Sequence, residues 1–127
     1  VRQSPIFVKT YDFLQWLLPL TARFPKSQRF LLAERLGVAA LDFYERLQRA
    51  ALGEQPGSDP AATLALLNEA DLLLHRQRFY LRLSHDLLFI SAGQYEHAVR
   101  QMDEIGRLLG GWMRRLKEKG IPGELPP

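Results

Sequence analysis

The residues best placed to do chemistry in this sequence are His75, Arg78, Arg82 and His85, spaced three, four and three apart. At 3.6 residues per turn such positions share one face of a helix. Arg76 lies beside them, and Phe79 and Tyr80 are interleaved. Arginine bonds phosphate through parallel N–H groups and stacks on planar rings. Arginine among aromatics is the usual means of holding single-stranded or irregular RNA. The plainer reading is a solvated polar face, neutralised by carboxylates on a neighbouring helix, and Asp86 at the end of the stripe fits it. A second basic group, Arg114, Arg115 and Lys117 with Lys119, ends the last periodic stretch. Basic residues there also complement a helix dipole.

Other chemistry finds few residues to use. His75 and His85 are ten positions apart, nearly three helical turns, too far to share a metal ion. There is no Glu-x-x-His pattern and no glycine-rich loop after a strand. Asp103 and Glu104 are adjacent and diverge around a helix. With no cysteine, disulfides, thiolate catalysis and cysteine-based zinc sites are excluded. The expectation is a non-enzyme without cofactor or metal. Net charge is only +3, but 13 arginines stand against 4 lysines. That bias fits phosphate recognition, and it equally fits a codon or thermal-stability preference.

The elements that position these residues read as helices throughout. At 127 residues, 46% hydrophobic and 24% charged, the composition is that of one globular domain. No apolar run approaches 18 residues, so no membrane span is expected. The first residues lack a basic segment followed by an apolar core, so a cytoplasmic setting is expected. Ser4-Pro5 and Asp59-Pro60 are each an N-cap followed by a first-turn proline, and Ser91 with Gln94 fits a capping box. Phe24-Pro25 and the stretch Gly53 to Asp59 are joints. Helices are therefore expected over about 5–23, 25–52, 60–88 and 92–119, within one domain of residues 1–119, with a loose tail at 120–127. Pro19 should kink or loosen the end of the first helix.

The fourth helix carries the cleanest pattern. Tyr95, Ala98, Met102, Ile105, Leu109, Trp112 and Leu116 alternate gaps of three and four, a heptad seam for helix-on-helix packing. Gly106, Gly110 and Gly111 lie within that stretch, which points either to close approach of another backbone or to a locally weak helix. The second helix repeats the pattern with Leu32, Leu36, Ala39, Phe43, Leu47 and Ala50. Short joints between four such helices give an all-α, up-down-up-down antiparallel four-helix bundle. Further apolar residues, including Leu31, Leu72, Phe79 and Phe89, exceed what one such core hides and imply a subunit interface.

Three stretches resemble one family of small four-helix bundles. They are Phe24-Pro-Lys-Ser-Gln-Arg-Phe30, Gln77-Arg-Phe-Tyr-Leu-Arg82 and Glu104-Ile-Gly-Arg-Leu-Leu-Gly-Gly-Trp112. One branch of the family is encoded in large-subunit rRNA intervening sequences. The other is the accessory variability determinant (Avd) of diversity-generating retroelements. The resemblance runs from about Pro5 to Lys119. It implies a homopentameric basic barrel, without catalytic residues, that binds the element's reverse transcriptase and template RNA and supports mutagenic cDNA synthesis. By that analogy Arg78 and Arg82 contact partner or phosphate, and five copies of a +3 chain carry 5 × 3 = +15 formal charges. The alternatives are an rRNA-associated or generic RNA-binding bundle, and an oligomeric protein adaptor that binds no RNA.

Overall fold

A computed structural model describes residues 4–119, and the tail expected at 120–127 lies outside the described residues. Four helices, α1 (Pro5–Thr21), α2 (Glu34–Leu52), α3 (Pro60–Asp86) and α4 (Ala92–Lys119), make up the chain. There is no strand among the described residues. Side-chain pairs fix the directions. Phe7 at the start of α1 lies with Ala51 at the end of α2 and Trp112 late in α4. Arg46 in α2 approaches Glu69 early in α3 at 3.8 Å. Arg78 in α3 reaches Asp103 in α4, and Lys9 in α1 approaches Glu104 at 3.4 Å. Each neighbour therefore runs antiparallel, and α1 packs on both α2 and α4. The architecture is the expected all-α up-down-up-down bundle.

The heptad positions form the core. Ala98, Met102, Ile105, Leu109, Trp112 and Leu116 of α4 are buried, with Tyr95 half-buried at the end of the line. Leu32, just before α2, and the five seam residues of α2 from Leu36 to Ala50 are buried as well. Leu67, Leu74 and Leu81 of α3 and Leu17 of α1 complete the interior. Tyr11 of α1 faces solvent.

The helix ends follow local chemistry. The Asp59 carboxylate accepts from the Ala61 amide at 3.0 Å. Ser91 and Gln94 close a reciprocal capping box at 2.8 and 3.1 Å. α1 continues through Pro19 and stops at Thr21, whose hydroxyl donates to the Leu18 carbonyl at 2.8 Å. The expected helix over 25–52 opens less regularly. A 3₁₀ turn (Lys26–Gln28) and a π turn (Arg29–Ala33) precede α2. The wider turn keeps Leu32 inside while Phe30 and Leu31 face out. α3 ends in a Schellman arrangement in which the Phe89 amide donates to the Ser84 carbonyl at 2.8 Å. Its left-handed position is occupied by Leu88 (φ 66°), 87% exposed, where glycine is usual.

Two helices have a second apolar face. On α2, Leu31 just before it and then Val38, Leu41 and Leu52 lie opposite the core seam and are exposed. On α3, Leu72, Phe79 and Leu83, with Leu87 just after it, do the same, at spacings of seven, four and four. Phe89 differs from the other surplus residues, because it is half-buried with its ring 5.7 Å from Phe24.

Candidate nucleic-acid interface

The α3–α4 groove gathers part of the basic stripe. Arg78, Phe79 and Arg82 from α3 and Tyr95, Val99 and Met102 from α4 line a shallow cleft of about 350 Å³. His85 closes one end, its ring stacked on Tyr95 at 4.7 Å between centroids and 14° between planes. His75 stands one turn before Arg78, exposed, with Nε2 3.6 Å from Asp71.

The two arginines at the centre differ in what they are free to do. Arg78 is tied down. One guanidinium nitrogen donates to Asp103 Oδ1 at 2.7 Å and the other to the Met102 carbonyl at 3.0 Å, leaving its side chain 34% exposed. Arg82 only approaches Asp86, at 4.0 Å, and is 76% exposed. His85 also faces Asp86, at 3.5 Å. Arg82 is thus the guanidinium that can turn to a phosphate at little cost, while Arg78 couples α3 to α4.

Arg78 also explains one glycine. A Cβ on Gly106 would stand 3.0 Å from the Arg78 guanidinium and 3.5 Å from Leu74, so the residue makes room for a side chain rather than for a backbone. Gly110 has nothing within 4 Å, and only the Arg114 guanidinium lies near Gly111, at 3.8 Å. Within one chain, then, no neighbouring backbone approaches these glycines.

The remaining basic residues lie elsewhere. Arg76 points to the opposite side of α3, into a groove against α2 that also holds Phe30, Arg35, Val38 and Tyr80. Arg114, Arg115 and Lys117 sit at the far end of α4. Eleven residues separate Asp103 from Arg114, about 16 Å along the helix. Arg115 approaches Glu54 at 3.8 Å, and the same carboxylate oxygen accepts from Trp112 Nε1 at 2.8 Å. The sequence pattern pools three places that the fold keeps apart. It also misses Asp103 as the partner of Arg78, which lies 25 positions away and carries no local signal.

Among the described residues no three His, Asp or Glu side chains gather as a metal site requires. No described helix is long and apolar enough to cross a membrane.

Comparison with curated proteins finds no match. Among solved structures, the chain is similar to a protein of unknown function from the S23 ribosomal protein family of Bacteroides thetaiotaomicron. The TM-score is 0.75 at 18% identity, over 86% of this chain and 95% of that one. At that identity the likeness speaks for the four-helix fold. The sequence model of the bAvd-like family matches residues 6–116, from the first turn of α1 to the last buried leucine of α4. With the match running through all four helices of the bundle, the chain belongs to the bAvd-like family.

Proposed function

We propose that this chain is a non-catalytic accessory protein of a diversity-generating retroelement. It works in the cytoplasm as a homo-oligomeric barrel, most simply of five copies, that binds the element's reverse transcriptase and template RNA and supports mutagenic cDNA synthesis. The observation that carries this reading is the family match across residues 6–116. Two surface features support it. The outward apolar lines of α2 and α3 call for a partner surface, and a second copy brings its own apolar lines to meet them. The α3–α4 groove presents Arg82 beside His85 and Tyr95, which suits an unstacked RNA strand. A ring repeats that groove in each subunit, so weak single contacts act together.

A second reading, an oligomeric protein adaptor that never touches RNA, draws on one observation: Arg78 is already neutralised by Asp103. Binding of single-stranded RNA measured against salt separates the two. The proposal requires affinity that falls linearly on a log–log plot as salt rises. The adaptor reading requires none. An rRNA-associated role shares the RNA binding, and the neighbouring genes distinguish it from the retroelement role.

A further inference from the structure

A second cleft, of about 470 Å³, lies where the start of α1, the end of α2 and the last turns of α4 meet. Its volume falls in the roughly 300–1,000 Å³ range of small-molecule sites. Phe7, Leu108 and Trp112 supply an apolar floor. The two rings stand 6.3 Å apart, inclined at 59°. Arg107, Arg114 and Arg115 form its rim. Arg107 and Arg115 are well exposed, each with only a loose approach to a carboxylate, at 3.8 Å from Glu104 and Glu54 respectively. Glu54 is engaged by the Trp112 indole, which holds that ring in place. Gly111 lines the wall, with the Arg114 guanidinium 3.8 Å from where its Cβ would stand, an ordinary contact distance.

Three cations around an aromatic floor of this size match one chemistry. The phosphate of a ligand meets guanidinium forks, and a planar ring lies on the apolar floor. We propose that this cleft binds one nucleoside 5′-phosphate unit, base inward and phosphate at Arg107 and Arg114. The unit comes either from a splayed-out nucleotide of bound RNA or from a free mononucleotide. The site extends the RNA-binding reading, yet it can stand or fall separately, because it lies at the other end of α4 from the Arg82 groove.

The chain has two tryptophans, so a Trp16→Phe variant leaves Trp112 as the only indole reporter on the cleft floor. The probes are AMP, ribose 5-phosphate, inorganic phosphate and a short single-stranded RNA, each read by Trp112 fluorescence at low salt. Calorimetry of AMP with the unsubstituted protein provides a readout that needs no variant. The expected result is a saturable change with AMP, weaker with ribose 5-phosphate and absent with phosphate. Affinity should fall about tenfold or more in Arg107→Glu/Arg114→Glu. If RNA also produces the change, the unit comes from the polymer; if only AMP does, the site serves free nucleotides. Salt-dependent RNA binding with no response of Trp112 and no AMP heat overturns the cleft while leaving the RNA reading intact. An AMP response without any RNA binding does the reverse. Equal responses to AMP and phosphate overturn the nucleotide assignment.

Discussion

Phe79→Glu tests the proposed subunit interface at its one aromatic residue. Phe79 sits in the outward line of α3 and is 61% exposed in the single chain. An aromatic side chain offers roughly 200 Å² of surface, so about 120 Å² of Phe79 remains to be covered by a neighbour. At about 25 cal/mol per Å², that burial contributes about 3 kcal/mol to each interface, or more than a hundredfold in its dissociation constant. Glutamate removes this term and adds a charge to be desolvated. The fold itself should hardly notice, because the position faces away from the core, and outward substitutions of this kind stay within about 0.5 kcal/mol. Sedimentation velocity across a micromolar concentration series, with far-ultraviolet circular dichroism as the folding control, reads both effects. The expected outcome is a helical protein that has shifted to monomer. A folded variant that keeps the parent's oligomer mass and concentration dependence would refute the assignment of this face to a subunit interface.

Five further outcomes follow from the structure. Trp112→Ala should cost about 3–5 kcal/mol in thermal or denaturant unfolding, since the ring is buried and Glu54 loses its donor. Gly110→Ala should stabilise the chain by about 0.5–1 kcal/mol, because nothing lies within 4 Å of the new methyl; a loss of stability confined to the oligomer would mean that a neighbouring subunit approaches there. Leu88→Gly should raise the melting temperature, by relief of roughly 1 kcal/mol of left-handed backbone cost. Arg82→Glu should leave stability unchanged and flatten the log–log salt slope of RNA binding by about 0.7 per lost contact on a single strand. Arg78→Glu should instead weaken the α3–α4 pairing by about 1 kcal/mol, because it sets two carboxylates face to face.

The fold was largely legible because its signals are local or periodic. The α2 and α4 seams were readable from three-four spacing alone, and Asp59 and Ser91 with Gln94 from capping chemistry. The start of the helix expected over 25–52 marks where this failed: the 3₁₀ and π turns over Lys26–Ala33 break the 3.6-residue period on which the reading rests. The outward apolar lines were visible as surplus hydrophobic residues, Leu31, Leu72 and Phe79 among them. Which face they occupy required knowing which line the core had taken. The candidate site was less legible. Helical spacing puts His75, Arg78, Arg82 and His85 on one face, and it does so correctly, but it cannot say that Asp103 claims Arg78. It also cannot say that Arg76 turns toward α2, or that Arg114 and Arg115 stand beside Trp112 and Glu54. Arg78 and Asp103 are 25 positions apart and Trp112 and Glu54 are 58 apart, and nothing in a linear pattern encodes such contacts across the bundle.

The central claim is an oligomeric ring that holds RNA, and native mass spectrometry of the parent protein mixed with a short single-stranded RNA tests both halves in one spectrum. The expected spectrum shows a discrete closed oligomer, most simply five copies, with RNA bound to the assembled species and released as ammonium acetate concentration is raised. A spectrum of bare monomer, with no RNA-bound species at the lowest salt, would contradict the account.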